Sequence, residues 1–219
     1  MSNKSKTSEG KRFEENWKNS YKDLPIYYLR LRDAAKWNRG NKSTFTPENP
    51  YDCLQFSPPF LWLLELKSTK DASISFNPIK PYETPQNEKT KVMIKHNQVI
   101  ALMEAATKDG VISGLVLNFR ERNLKTKSEP NIVYFVHIND FLIFAEESKK
   151  STINRDDCEN IGIQINYLKK KVNYTYLISE FVEHSSEIYL RKNYIDISKL
   201  KRNHEWIGSL IQKISVKED

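Results

Sequence analysis

Three side chains in the first third of the chain have the types and spacing to do chemistry together: Asp52 and, thirteen residues on, Glu65, with Lys67 two residues beyond it. Glu65 and Lys67 close the apolar run Phe60-Leu61-Trp62-Leu63-Leu64 and flank Leu66. Side chains alternate along an extended strand, so Glu65 and Lys67 share one face and Leu66 takes the other. Two carboxylates a few ångströms apart repel unless a proton or a cation separates them. Hard oxygen ligands favour Mg2+, with Mn2+ able to substitute. An ammonium on the same face would position or deprotonate a water and offset charge on a phosphate. The chemistry such a trio could do is metal-dependent phosphodiester hydrolysis. A plainer reading makes Glu65 and Lys67 a solvated same-face pair on an exposed strand. The apolar run argues for a sheet edge or cleft instead, because charge buried without a partner is costly.

Two neighbouring strands must hold the trio. Residues 60–67 read as one, bounded by Pro58-Pro59 and by the polar Ser68-Thr69-Lys70-Asp71. Residues 51–56 form its antiparallel partner, with Ser57-Pro58-Pro59 as the turn, which sets Asp52 opposite the Glu65 end. Upstream, Phe13, Trp17 and Tyr21 recur every four residues and predict a helix over 9–21, closed by Pro25. Glu14 borders that apolar stripe; by itself it reads as a surface glutamate paired with Lys18 at i,i+4. Residues 26–32 alternate apolar and basic and predict a strand. Residues 34–49 hold Lys36, Trp37, Arg39, Lys42 and Phe45, a basic, aromatic loop suited to phosphate contact and base stacking, or else a solvated loop with one aromatic tucked into the core.

Downstream, residues 68–90 carry Pro78, Pro81 and Pro85 with few periodic apolar residues, and read as a long extended connection. Val99, Leu102, Met103 and Ala106 predict a helix over 95–108 capped by Gly110, with His96 and Gln98 near its start and His96 read as a capping residue, or one that supports a site from behind, rather than a ligand. Residues 111–120 and 132–138 predict two strands joined by a polar loop, and a short helix follows from Asn139. After it come a segment over 156–161, a break at Gly162, a segment over 163–168 and a helix over 174–184.

At 219 residues the chain is expected to be one domain over 12–182, with a flexible basic tail at 1–11 and a helical basic extension at 183–219. Its 35 Lys and Arg against 28 Asp and Glu leave a formal charge of +7, which favours a polyanionic partner. Cys53 and Cys158 fit neither a metal spacing nor a disulfide framework, as expected of a reducing compartment. The start lacks the apolar core of a signal peptide, and no run approaches a membrane span.

Several segments, in one order, resemble the PD-(D/E)xK nuclease core and, more narrowly, the RecU family of Holliday junction resolvases in its shorter, RecU-like form. Gly10-Lys11-Arg12-Phe13-Glu14 resembles the opening helix motif, whose glutamate faces the active site. Asn49-Pro50-Tyr51-Asp52 and Glu65-Leu66-Lys67-Ser68 resemble the metal and lysine motif. His96-Asn97-Gln98 resembles the His-Gln helix, with Asn97 set between two residues that are usually adjacent. Residues 114–119 and Tyr134-Phe135-Val136 fit its paired strands, and Lys150-Ser151-Thr152-Ile153, with Gly162 beyond, resembles its Lys-Ser-Ile segment. The likeness spans residues 9–182.

The resemblance implies a restriction-endonuclease-like α/β/α fold with a central mixed sheet. It implies that Asp52, Glu65 and the Leu66 backbone carbonyl hold Mg2+, that Lys67 activates or positions water, that Glu14 assists the metal or its water shell, and that Gln98 supports the site. It further implies a homodimer that resolves four-way DNA junctions by symmetric paired nicks, in the cytoplasm of a bacterium or of a phage's bacterial host. Paired nicks need two sites related by a two-fold axis. The larger RecU proteins insert a stalk ahead of the catalytic aspartate; here residues 34–49 are short, and Lys36, Trp37, Arg39 and Lys42, together with Lys70, are the expected DNA contacts. Two other classes stay open: a restriction-like or repair nuclease acting on linear or flapped DNA, and a non-catalytic DNA-binding protein.

Overall fold

Phe13 and Trp17, one helical turn apart, form the buried stripe of α1 (Glu9–Asn19) in a computed structural model that describes residues 9–31, 49–86, 91–123 and 128–191. β1 (Tyr27–Arg30), β2 (Cys53–Ser57) and β3 (Phe60–Thr69) follow as an antiparallel meander. After β4 (Ser73–Ser75), helix α2 (His96–Ala106) carries the chain back so that β5 (Val111–Phe119) lies parallel to β3. A small ribbon, β6 (Arg122–Asn123) with β7 (Ser128–Glu129), leads to β8 (Ile132–His137), antiparallel to β5. Then come α3 (Ile138–Ser148), β9 (Thr152–Asn154), α4 (Arg155–Ile161), β10 (Ile163–Gln164), the hairpin of β11 (Tyr167–Lys170) and β12 (Asn173–Tyr176), and α5 (Ile178–Arg191).

The central sheet has six strands in the order β1-β2-β3-β5-β8-β10, with β3 and β5 as its parallel pair. Strands buried on both faces read as nearly continuous apolar runs, and β3 and β5 do so because helices cover both sides. Phe60, Trp62, Leu64 and Leu66 join Phe13, Trp17, Phe181 and Tyr189 in one core, on the α1 and α5 side. Leu63, Leu115 and Leu117 join Val99, Leu102 and Phe141 in a second core, on the side of α2 and α3. The result is the expected α/β class with a central mixed sheet between helical layers, and the expected order of helix, three strands, helix and strand.

Close packing at the centre of this sheet makes one glycine indispensable. A Cβ at Gly114 would lie 2.3 Å from the Val136 carbonyl oxygen and 2.7 Å from the Phe135 ring. Backbone and a buried ring cannot give way, so Gly114→Ala is expected to cost about 2–3 kcal/mol through overpacking. Urea unfolding measures it, and an unchanged midpoint would mean that the strands can separate at no cost.

Four expectations for the connections and boundaries need correction. Residues 68–90 are more than an extended link: β4 pairs with β9, and Ile74 and Phe76 are buried in the second core. Residues 121–131 hold the β6–β7 ribbon, tied by Arg122 Nε donating to Glu129 Oε2 at 2.6 Å. The helix expected over 174–184 begins later: Tyr174, Thr175 and Tyr176 belong to β12. The boundary expected at 182/183 falls inside α5, whose Tyr189 and Leu190 are buried in the first core.

Candidate active site

The register of three strands places Asp52. The meander extends its pairing to the residue just before β2, so that Asp52 N donates to Leu64 O at 3.1 Å and Leu31 N donates to Asp52 O at 2.9 Å. Held on both edges, the Asp52 backbone sends its side chain to the next amide of β3, where Leu66 N donates to Oδ2 at 2.7 Å. Glu65 and Lys67 alternate with the core residues Leu64 and Leu66 and therefore face α2.

Glu65 is the most constrained group of the set, at 1% exposure. Its Oε1 accepts from Lys67 Nζ at 2.5 Å and from Gln98 Nε2 at 2.6 Å. Its Oε2 is buried and takes no donor among the described residues, while the Asp52 carboxylate stands within hydrogen-bonding reach of the Glu65 carboxyl. Burial pushes the Glu65 carboxyl up to about 8, with the Asp52 charge pushing in the same direction and Lys67 pulling against both. Without a cation, burial therefore favours the protonated form of this acid.

Gln98 is the third residue of α2 and does two jobs. Its Oε1 accepts from the backbone N–H of Lys95, the cap position of the helix, at 3.1 Å, while its Nε2 donates to Glu65. The capping bond fixes which end of the amide faces the acid. Gln98→Leu would leave the Lys95 N–H and one Glu65 contact unmade. The expected loss is about 1–2 kcal/mol in urea unfolding at pH 7, and a loss of zero would show that the amide is dispensable.

The structure thus brings Asp52, Glu65, Leu66, Lys67 and Gln98 together. Glu14 is placed elsewhere: it is ion-paired with Arg30 of β1. Arg30 lies opposite Cys53, on the α1 face and so on the other side of the sheet from Glu65 and Lys67. The alternation within β1 was the signal that could have identified this partner. Lys70 follows β3 and borders a separate basic cleft beside Arg12 and Arg120. His96 Nε2 is 3.5 Å from Thr84 Oγ1. Lys36, Trp37, Arg39 and Lys42 lie outside the described residues. Cys53 is fully buried among apolar side chains, and burial pushes its thiol up, as fits a packing residue.

The oxygens that could hold a divalent cation are those of Asp52, Glu65 Oε2 and the Leu66 carbonyl. In an extended strand a residue's N–H and C=O point to the same edge, so the Leu66 carbonyl lies on the side of Asp52, to which its amide donates. Among the described residues no three His, Cys, Asp or Glu side chains gather into a ligand group. A pair of carboxylates suits an ion that keeps several waters and completes its shell with a phosphate, as Mg2+ does. The unpartnered Glu65 Oε2 is the observation that fits such an ion.

No family model matches the chain. The chain is 36% identical over 185 residues to the SPbeta prophage-derived uncharacterized protein YotM of Bacillus subtilis (strain 168), covering 79% of this chain and 84% of that protein. Among solved structures it is similar to Archaeoglobus fulgidus Hjc, a Holliday junction resolvase from an archaeal hyperthermophile. That match has 14% identity and a TM-score of 0.42, over 71% of this chain and 95% of the other. A likeness of that size carries no argument about activity. Among the described residues no helix is long and apolar enough to cross a membrane.

Proposed function

The chain belongs to the family of the SPbeta prophage-derived protein YotM, and from its site we propose that it is a Mg2+-dependent DNA endonuclease that nicks four-way junctions symmetrically as a homodimer. The observation that carries this reading is Glu65, buried against the Asp52 carboxylate with one oxygen that takes no donor among the described residues, and 2.5 Å from the Lys67 ammonium. Nothing in the packing of a purely structural strand calls for that arrangement, since an unpaired buried carboxylate oxygen lowers stability.

In this reading Asp52, Glu65 and the Leu66 carbonyl hold Mg2+, for which Mn2+ substitutes. When bound, the ion supplies charge screening at the phosphate and lowers the pKa of a coordinated water. Lys67 holds the attacking water in line and offsets developing charge on the phosphate. Its contact with Glu65 limits the positions its ammonium can take. Gln98 fixes the orientation of the Glu65 carboxyl from the end of α2. Glu14 acts at a distance, through Arg30 and the β1–β2 edge that carries Asp52. DNA contacts come from Lys70 and from Lys36, Trp37, Arg39 and Lys42, consistent with the net charge of +7.

The test is a substrate panel: four-way, flapped and linear DNA, each with and without Mg2+, analysed for nick positions on both strands. Paired, symmetric nicks confined to the four-way substrate are expected. Cutting of linear or flapped DNA with equal efficiency would favour a restriction-like or repair nuclease on the same residues. Binding without any metal-dependent cutting would leave a DNA-binding protein.

A further inference from the structure

A second polar concavity lies away from the carboxylates, between α1, the ends of β3 and β5, and the β11–β12 hairpin. It encloses about 260 Å3. Arg12, Lys70, Arg120, Lys169 and Lys171 border it, against two carboxylates, Glu9 and Glu121. Arg120 is held by Glu9 at 3.2 Å, and Lys169 is ion-paired with Glu121. Lys70 and Lys171 are exposed and have no ion-pair partner among the described residues. Lys171 stands in the turn of the hairpin with φ 54°, a left-handed conformation that favours glycine or asparagine, so a cation occupies a position where its backbone is strained.

The lining holds an independent sign of a polar ligand site. Asn118 Oδ1, Asn131 Nδ2 and the Tyr176 hydroxyl have no hydrogen-bond partner among the described residues. All three residues are at least 95% buried, at 3%, 5% and 2% exposure. Buried polar groups are normally satisfied, and two unused donors, Asn131 Nδ2 and the Tyr176 hydroxyl, along a basic cleft suit the oxygens of an anionic guest, while the unused acceptor Asn118 Oδ1 suits a donor on the same guest.

We infer that this cleft binds a phosphate ester, supplied by a nucleic-acid strand at a point remote from the bond that is cut; the strand as its source rests on the nuclease reading above. Lys70 lies five residues beyond Glu65, roughly 16 Å at about 3.3 Å per residue of strand. Asn118 pairs with Ser68 on the α1 side of the sheet, whereas Glu65 and Lys67 face α2. A strand passing from the carboxylates around the ends of β3 and β5 therefore reaches the cleft several phosphates away, at about 3.4 Å of rise per nucleotide. Cations at the rim neutralise the ester, Asn131 Nδ2 and the Tyr176 hydroxyl donate to its oxygens, and Asn118 Oδ1 accepts from a donor on the attached base.

The test uses the full chain without divalent metal and the variant Arg12→Ala/Lys70→Ala/Lys171→Ala, whose three positions are exposed and whose fold should persist. Binding of a labelled DNA duplex is measured by fluorescence anisotropy over a range of salt concentrations, and a deoxynucleoside monophosphate is titrated separately by thermal shift. The variant is expected to bind duplex at least about tenfold more weakly, with a salt slope smaller by about 2 to 3, since each phosphate contact contributes about 0.9. A thermal shift of the unmodified protein by the mononucleotide alone, lost in the variant, would make a free nucleotide the source of the ester; a response to duplex only makes it the strand. Affinity and slope unchanged by the three substitutions, with no mononucleotide shift, would overturn the site. Because no step requires cutting, a protein that shows the slope difference but never nicks DNA would refute the nuclease reading and leave the cleft standing.

Discussion

Asp52→Asn and Lys67→Ala are each expected to reduce Mg2+-dependent DNA cleavage by about 1,000-fold or more while changing duplex affinity by less than about threefold. The two substitutions remove different things. Asp52→Asn keeps an oxygen to accept from the Leu66 amide, so the strand geometry persists, but it deletes one of the two negative charges that a cation needs. Lys67→Ala deletes the only ammonium that touches Glu65 among the described residues, and with it the group that would hold the attacking water and offset phosphate charge. Both changes sit at one small site, whereas affinity is spread over many phosphate contacts, so binding should survive. Single-turnover cleavage and anisotropy on the same substrate separate the two readouts. Retained metal-dependent cutting in both variants would remove this site from the reaction.

The second large effect concerns Glu65 and runs in opposite directions for stability and for activity. In the folded, metal-free protein the Glu65 carboxyl is raised from an ordinary 4.5 to about 8, chiefly by burial. The unfolded chain ionises the group near its ordinary value, so between those limits the folded state holds a proton that the unfolded state has lost. Stability from this residue is thus fully present below about 4.5 and drains away as pH rises toward 8. Glu65→Gln mimics the protonated acid and has no titration there. In urea unfolding with a chelator present, the variant is expected to match the parent at pH 5 and exceed it at pH 9. Added Mg2+ should restore the parent at pH 9, where binding need not expel the proton, and leave the variant unmoved. Cleavage by the variant should fall to background. Parallel stability curves for the two proteins would show that Glu65 ionises as freely in the folded protein as in the unfolded chain.

Part of this was legible in the chain itself. The apolar run of β3, with prolines ahead of it and polar residues behind, is a local signal, and alternation along a strand is a matter of backbone geometry. Glu65 and Lys67 therefore had to share a face. A turn only a few residues long likewise left little freedom in the pairing of Asp52, and its amide meets the Leu64 carbonyl as that pairing requires. The stripe of α1 and the start of α2 were readable for the same reason, because helical periodicity is short-range. Segments whose stability comes from distant partners were not: β4 has three residues and exists because β9 pairs with it, and β12 resembles a helix start until β11 lies beside it.

Within the site the division is the same. Residue types and spacing along one strand and its neighbour were enough to bring two acids and an amine together, since those contacts span few residues and follow from the repeat of the strand. Only the packed molecule determined that α2 would lay Gln98 across Glu65, that burial would raise this acid and leave one oxygen unpartnered, and that Glu14 would meet Arg30 across the sheet from it. The basic cleft under the β11–β12 hairpin belongs to the second group too, because its walls come from parts of the chain that are far apart in sequence. Strand geometry is set by neighbouring residues, whereas burial, desolvation and partner choice depend on which surfaces the whole chain closes against one another.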